Sequence, residues 1–154
     1  MAVYFFDTSA LVKRYVAEIG SPWVEGITDP ASGNRIEILT ITAVEVTSSV
    51  ARRVNNGTLT TTQRDAIITQ FRNDRDTQYR SADVTPTLVE EAMTQAERHA
   101  LRGYDAIQLA GALLTNRERI ANNLPPLTLV SSDVELNTAA QAEGLHVEDP
   151  NNYP

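Results

Sequence analysis

The sequence has no cysteine and only two histidines, His99 and His146. Without cysteine the chain forms no disulfide, no thiolate metal site and no cysteine nucleophile, a composition that suits a reducing compartment. Neither histidine has a second histidine at the spacing of a metal-binding pair, so both are interpreted as structural or surface residues. A zinc site of the finger type is therefore excluded.

Long apolar runs are also missing. The longest lies near Ala106 to Leu114 and is interrupted by Gln108, so it is far shorter than the roughly 20 residues that a bilayer requires. The apolar run from Ala2 to Phe6 has no basic residues before it and stops at Asp7, too early for a signal peptide. We therefore expect a soluble, cytoplasmic protein with no membrane partner.

Positive charge is scarce, since 13 Lys and Arg residues face 20 Asp and Glu residues and the net charge is −7. Broad electrostatic binding of nucleic acid depends on basic residues that neutralise phosphates, so the composition alone does not favour it. An acidic nuclease is still consistent with this balance if some carboxylates converge on divalent cations, because a bound metal reverses the local sign of charge. The charge count leaves solubility and metal binding both open.

The 154 residues, 42% of them hydrophobic and 21% charged, have the size and composition of one soluble domain, predicted over residues 1–154. Short apolar segments alternate with segments of helical periodicity. This alternation predicts an α/β fold with a central, mostly parallel five-stranded sheet and helices on both faces. The predicted strands are Val3–Phe6, Ile36–Ile41, Tyr79–Val84, Leu127–Val130 and Leu145–Val147. The predicted helices are Ser9–Glu18, Trp23–Ile27, Thr42–Val54, Thr60–Arg75, Pro86–Leu101, one that starts at Tyr104 or Asp105 and ends near Asn122, and Asp133–Glu143.

Acidic residues follow two of the predicted strands. Asp7 comes directly after the first strand, and Asp133 follows the fourth strand after two serines. The carboxyl ends of parallel strands are where open α/β sheets bind ligands. Helix capping is the alternative for each acid, since Ser132 and Glu135 match a capping box. Capping explains either acid alone better than catalysis does, whereas the pair together is harder to explain by capping.

Two further acids lie on predicted helices. Asp105 opens a helix that is apolar almost all round, so its carboxylate is expected inside the fold, where it needs either the helix N-terminus or a metal as a partner. Glu45 lies opposite the apolar stripe of its helix, near Arg52. Periodicity alone therefore favours a solvated glutamate at this position.

Four segments resemble, in their order along the chain, the PIN-domain ribonucleases, particularly the small VapC-type toxins of bacterial and archaeal toxin–antitoxin pairs. They are FDTSALVKRY around Asp7, TAVEVTSSVARR around Glu45, LRGYDAIQLAGAL around Asp105 and LVSSD ending at Asp133. The resemblance spans nearly the whole chain and implies a single PIN-like domain. It implies that the four acids bind one or two Mg²⁺ or Mn²⁺ ions and hydrolyse RNA to products with a 5′-phosphate and a 3′-hydroxyl.

The same resemblance implies supporting residues and partners. It gives Thr8 and Ser131 the role of hydroxyls that hold the carboxylates, or metal-bound water, by hydrogen bonds. It also implies a homodimer and a cognate antitoxin whose C-terminal segment occupies or distorts the acidic groove. The chain departs from the small toxins in the stretch from Asn116 to Pro126, which is longer here and is expected to alter the rim of the site.

The residues themselves suit this chemistry. Carboxylate oxygens are the hard ligands that Mg²⁺ and Mn²⁺ prefer, and such ions activate water and offset phosphate charge. Candidate phosphate contacts lie on the helix after Asp7 and on the helix of Glu45, although solvated helix faces explain them equally well. They are Lys13, Arg14, Arg52 and Arg53. On the fourth helix, apolar residues at helical spacing indicate either a dimer face or, more commonly, core; they are Ile67, Ile68 and Phe71.

Two other functions remain open on the sequence. An aspartyl phosphotransferase also uses an Asp at the end of a strand, but the usual pattern has a second Asp where this chain has Ser9, and a later lysine, whereas Lys13 is the only lysine. A non-catalytic PIN-like scaffold, in which the acids only cap helices and the chain binds RNA or protein, belongs to a different class. An assay of metal-dependent RNA cleavage distinguishes a ribonuclease from these two alternatives.

Overall fold

The predicted strands form one sheet in which every neighbouring pair is parallel. The computed structural model describes all 154 residues. Its strands are β1 (Val3–Phe6), β2 (Arg35–Leu39), β3 (Tyr79–Ala82), β4 (Thr128–Val130) and β5 (His146–Glu148). They lie in the order β3-β2-β1-β4-β5, which confirms the predicted α/β class and its five-stranded sheet.

Seven α-helices and three 3₁₀ turns connect the strands. The helices are α1 (Thr8–Leu11), α2 (Ser21–Thr28), α3 (Thr40–Asn55), α4 (Thr61–Thr77), α5 (Pro86–His99), α6 (Gly103–Ala121) and α7 (Val134–Ala142). The 3₁₀ turns are Val12–Arg14, Pro30–Ser32 and Pro150–Asn152. None of the helices is long and apolar enough to cross a membrane.

Helices cover both faces of the sheet, as predicted, and each face has its own buried cluster. Helices α5, α6 and α7 pack on the face of Phe5 and Leu129, whereas α1 to α4 pack on the face of Phe6 and Val130. Phe71 is 1% exposed in this second cluster. Ile67 and Ile68 are partly buried and pack against the same cluster, so Phe71 lies in the core and the two isoleucines lie at its edge.

The first helix is shorter than predicted. Periodicity extended it to Glu18, but α1 ends at Leu11 and a 3₁₀ turn follows. The Lys13 side chain is 5% exposed, and its ammonium donates to Ile19 O at 2.9 Å and to Asn151 Oδ1 at 3.1 Å. A buried ammonium requires such acceptors, and the chain turns back after the 3₁₀ turn to supply the Ile19 carbonyl.

The order of the strands reverses between β1 and β4. From β1 the chain proceeds to β2 and β3 on one side of the sheet, and later to β4 and β5 on the other. Ligands bind at such a reversal of strand order, beyond the carboxyl ends of the strands. Asp7 follows β1 here, and its backbone N–H donates to Val130 O at the end of β4 at 3.0 Å. The sheet therefore brings the ends of β1 and β4, and the acids that follow them, to one place.

Candidate active site

Asp7 is a buried carboxylate whose partners are neutral. Its residue is 3% exposed, and its Oδ2 accepts hydrogen bonds from Ser9 Oγ at 2.6 Å, Ser131 Oγ at 3.2 Å and Ser9 N at 3.3 Å. None of these bonds uses Oδ1, and no lysine or arginine pairs with this side chain. Burial raises the pKa of Asp7 above its ordinary value, although the hydroxyl hydrogen bonds oppose the rise. The site thus contains a buried carboxyl group whose ionised form is disfavoured by desolvation and has no paired protein cation.

A cleft of about 390 Å³ lies in front of Asp7 and is lined by two more of the predicted acids, Glu45 and Asp105. Asp105 lies in the first turn of α6. Burial, then the charges of Asp133 and Asp7, raise the pKa of Asp105 to about 6. The N-cap residue of α6 is Arg102, which makes no side-chain capping bond, so Asp105 is not the N-cap and lies within the first turn of the helix.

Asp133 lies beside this cleft rather than in its lining. Its Oδ1 accepts from Leu136 N at 2.9 Å and caps α7, while its charge acts on Asp105. The predicted capping box with Ser132 as the cap is therefore wrong by one residue. Ser131 Oγ accepts from Asp133 N at 3.0 Å, and this turn directs the Asp133 side chain to the free N–H groups of the helix.

Glu45 is half-buried on α3 and faces the cleft. Periodicity favoured a solvated glutamate, but the buried stripe of this helix is Thr42, Val46 and Val50. Glu45 therefore lies at the border of the stripe. A border position is solvated in an isolated helix and half-buried where another segment, here α1 with Thr8 and Ser9, forms the opposite wall.

The structure thus places Asp7, Glu45 and Asp105 in one cleft and Asp133 next to it. No three acidic or histidine side chains in the protein are close enough together to form a complete metal-binding group. The acids converge on one region, but they do not form a preassembled ligand set.

The two predicted hydroxyls have different partners. Ser131 donates to Asp7, as the resemblance implied. The Thr8 hydroxyl instead lies 2.7 Å from Tyr104 Oη and contacts no carboxylate oxygen. The stretch from Asn116 to Pro126 contributes no residue to the lining of the cleft, because it begins near the end of α6, at the opposite end of that helix from Asp105.

Sequence reasoning missed the functional surroundings of two acids. Ser9 was considered only as a missing Asp, yet it donates to Asp7 and accepts from Ser132 N at 3.0 Å. A serine two residues after an acid is a common local hydrogen-bonding pattern, and it was the available signal. Tyr104 and Gln108 were also missed. The signal for Gln108 was a polar residue inside an apolar helix, which is fully buried in the structure.

The four candidate phosphate contacts separate into two kinds. Lys13 is engaged as described, Arg14 donates to Asp74 Oδ2 at 3.1 Å, and Arg53 pairs with Glu18. Arg52 is exposed, lines the cleft and has no ion-pair partner. Arg52 is therefore the side chain available to a phosphate, while the only lysine is not free to balance a phosphoryl group as the phosphotransferase alternative requires.

Comparison with known proteins gives relatives over nearly the full length. Ribonuclease VapC45 and ribonuclease VapC49, from the CDC 1551 / Oshkosh and H37Rv strains of Mycobacterium tuberculosis, are each 31% identical to this chain over 150 residues. The match covers 96% of this chain and 95% of each relative. No family model matches the chain.

Two solved structures share the fold. A toxin–antitoxin complex from Klebsiella pneumoniae has a TM-score of 0.61 and 19% identity, over 97% of this chain and 98% of that chain. VapBC2 from Rickettsia felis, bound to a DNA fragment from its promoter, has a TM-score of 0.59 and 17% identity, over 96% of this chain and 98% of that chain. At these identities the likeness shows the architecture alone.

Proposed function

The chain belongs to the VapC family of ribonucleases, and from this premise we propose that it is a metal-dependent endoribonuclease, the toxin of a toxin–antitoxin pair. Its candidate site consists of Asp7, Glu45, Asp105 and Asp133. The observation that carries this proposal is the buried, unpaired Asp7 carboxylate at the strand-order reversal, with Asp105 close enough for the two charges to interact.

The donor set fits a hard divalent cation. The oxygen ligands that the cleft offers are carboxylates and hydroxyls, which suit Mg²⁺ or Mn²⁺, and the chain has no cysteine to bind a softer metal. Two acids here have raised pKa values, as expected for negative charges that lack a compensating cation. The acids have to approach one another more closely when a cation binds, because no three of them form a binding group now.

The residues of the chain divide the work. Ser9 and Ser131 fix Asp7 by bonds to Oδ2 and leave Oδ1 to a ligand. Asp133 is held by its bond to Leu136 N, so its position is set by α7. A bound Mg²⁺ or Mn²⁺ would supply Lewis acidity, which lowers the pKa of water and offsets charge on the phosphodiester. Arg52, at the rim of the cleft, binds a phosphate of the RNA.

A direct assay tests this function. The purified protein, freed of any bound antitoxin, is mixed with total RNA in the presence of Mn²⁺, and in EDTA. We expect cleavage within the RNA only when Mn²⁺ is present. Cleavage that persists in EDTA would contradict a metal-dependent site, and absence of cleavage with Mn²⁺ and Mg²⁺ would favour the non-catalytic scaffold.

The pH dependence of metal binding follows from Asp105. Its folded-state pKa of about 6 is above the ordinary value, so protonation favours the metal-free folded protein and opposes binding of a cation. Without metal, protonation of Asp105 should stabilise the folded protein and raise its melting temperature as the pH falls from 7 to 5. This contribution is lost as the pH rises through 6. Over the same range the affinity for Mn²⁺ should fall, by roughly tenfold per pH unit once the pH is below the pKa.

Thermal unfolding at several pH values, with and without Mn²⁺, measures both effects. The Asp105→Asn variant is the matched control, because it keeps the shape of the side chain and cannot titrate. Subtracting its pH profile from that of the wild type isolates the contribution of this residue. Identical profiles for the two proteins would show that Asp105 does not titrate near pH 6.

Arg52 provides a test of the phosphate contact. Arg52→Ala should raise KM for RNA several-fold and lower the slope of log affinity against log salt by about 0.7, the change expected for one lost contact to single-stranded nucleic acid. Arg72→Ala is the control, since Arg72 is also exposed but lies on α4, outside the cleft. Equal changes in the two variants would indicate a general charge effect instead of a contact.

We also propose that the partner of this chain is an antitoxin protein, because the structures that share its fold include toxin–antitoxin complexes. The predicted homodimer stays a prediction, which the mass of the purified protein in solution tests. The RNA substrate is part of the same proposal and is tested by the cleavage assay.

A further inference from the structure

A chain of hydrogen bonds between side chains runs from the core to the cleft. Gln108 Nε2 donates to Thr42 Oγ1 at 2.9 Å and to Tyr104 Oη at 2.7 Å. Tyr104 Oη in turn lies 2.7 Å from Thr8 Oγ1. Gln108 and Thr42 have no solvent exposure, while Thr8 and Tyr104 line the cleft. This series of hydrogen bonds therefore has one end in the core and the other beside the candidate site.

Its members are neighbours of three of the candidate acids. Thr8 follows Asp7, Tyr104 precedes Asp105, and Thr42 lies three residues, close to one helical turn, before Glu45. These residues belong to α1, α6 and α3. One set of hydrogen bonds thus ties together the three elements that carry the acids of the cleft.

The donor in these hydrogen bonds is fixed at Gln108. An amide Nε2 only donates, so Tyr104 Oη accepts from Gln108 and its own single proton is available to Thr8. A tyrosine phenol keeps its proton at neutral pH, since its ordinary pKa is about 10. With Tyr104 as the donor of its bond to Thr8, Thr8 Oγ1 accepts and its own proton has no protein acceptor, because its hydroxyl has no other hydrogen bond. In that arrangement the hydroxyl of Thr8 is free to donate to a group in the cleft that Thr8 lines.

We propose that Gln108 and Tyr104 are positioning residues that hold the Thr8 hydroxyl as a hydrogen-bond donor to a phosphodiester oxygen of RNA in the cleft. This inference rests on the proposed function. A neutral donor suits this place, since the neighbouring acids repel the phosphate and a hydroxyl offers it a hydrogen bond without competing for the cation. Thr8 would then contact the substrate, and the other two would act through it.

The inference predicts a pattern among variants. Thr8→Val removes the donor and should lower kcat about 100-fold, as for other preorganised donors to developing charge. Tyr104→Phe leaves the hydroxyl of Thr8 in place but free to rotate, so it should lower kcat by about tenfold. The double variant should be no slower than Thr8→Val alone, because Tyr104 acts only through Thr8. Thr8→Ser keeps the hydroxyl and should retain most of the activity.

Two readouts besides cleavage separate positioning from structure. Mn²⁺ affinity, measured by calorimetry on the metal-free protein, should stay within about twofold of wild type in Tyr104→Phe and Thr8→Val, since neither change removes a carboxylate. Tyr79→Phe is the matched control: it removes another buried tyrosine hydroxyl, one bonded to Tyr15 Oη on the opposite face of the sheet. It should lower the melting temperature to a similar extent as Tyr104→Phe and leave kcat unchanged.

The outcomes distinguish failure of the proposed function from failure of the inference about Thr8, Tyr104 and Gln108. If the wild type does not cleave RNA with Mn²⁺, the proposed function fails and the inference falls with it. If the wild type cleaves and Tyr104→Phe is as fast, the inference alone is wrong. Losses that add in the double variant, or a fall in Mn²⁺ affinity that accounts for the lost activity, would also overturn it. A non-additive loss in kcat at unchanged Mn²⁺ affinity supports it.

Discussion

Asp7→Asn is expected to lower RNA cleavage about a thousandfold or more, a loss of roughly 4 kcal/mol of transition-state stabilisation, which is within the range supplied by a bound metal ion. Asparagine has the same shape as aspartate and still accepts the hydrogen bonds of Ser9 and Ser131 on its oxygen. It lacks the negative charge that a divalent cation requires. The initial rate of cleavage of a labelled RNA in Mn²⁺ measures the loss.

The stability of the same variant should change in the opposite sense. In wild type the buried carboxylate has a raised pKa and no cationic partner, so its charge is costly at pH 7 in the absence of metal. Asp7→Asn should therefore be at least as stable as wild type without metal, and Mn²⁺ should no longer raise its melting temperature. Asp65→Asn, an exposed change on α4, is the control for both measurements.

Cleavage that does not depend on the charge of Asp7 would contradict its role as a metal ligand. If Asp7→Asn kept more than about a tenth of the wild-type rate, the contribution of its charge would be below about 1.4 kcal/mol. Asp7 would then serve as the cap of α1, which its bond to Ser9 N also allows. If the variant instead failed to fold, the loss of activity would carry no information, and a melting temperature no lower than that of the metal-free wild type is therefore part of the prediction.

Part of the candidate site follows directly from local sequence pattern. A short apolar run that ends in an acid predicts an acid at the edge of a parallel sheet, and both Asp7 and Asp133 lie there. An acid that opens an apolar helix predicts a carboxylate directed into the fold, and the raised pKa of Asp105 agrees with partial burial. Capping and ligand binding were treated as alternatives, yet Asp7 and Asp133 each cap a helix through one oxygen and keep the other.

The rest of the site depends on contacts that no local pattern contains. Thr8 and Tyr104 are 96 residues apart in sequence, and their contact exists because α1 and α6 both lie at the end of β1. The burial of Glu45 depends likewise on α1 forming the opposite wall of the cleft. Periodicity describes one helix at a time, so it predicted a solvated glutamate. Only the resemblance of the surrounding segment to a family identified this residue.

The fold shows the same division. Alternating strands and helices predicted the parallel sheet with two covered faces, because parallel neighbours need crossover connections. The order of the strands was not predictable in this way, since it depends on which side of β1 each later unit packs. Helix ends differ from the predicted ones where a tertiary contact intervenes. Helix α1, for example, ends at Leu11, and the chain then turns so that the carbonyl of Ile19 accepts from the buried Lys13.

Gly111 controls how closely α6 approaches the sheet. A β-carbon at this position would lie 2.9 Å from Leu39 Cδ2 and 2.9 Å from Phe5 Cζ. Leu39 and Phe5 are both fully buried, so neither side chain has free space to occupy. The absence of a side chain thus allows α6, which carries Tyr104, Asp105 and Gln108, to lie directly on β1 and β2.

Gly111→Val should destabilise the protein by about 3 kcal/mol, the upper part of the usual range for overpacking a core, which corresponds to a fall of roughly 10 °C in melting temperature for a domain of this size. Gly111→Ala is the matched comparison: its single methyl group meets the movable ends of Leu39 and the ring of Phe5, while the gain of about 1 kcal/mol in helix propensity offsets part of the cost. Denaturant unfolding of the three proteins measures the difference. Equal stability of Gly111→Val and wild type would mean that α6 moves away from the sheet at little cost. In that case Mn²⁺ affinity should change with it, because the carboxylate of Asp105 moves on the same helix.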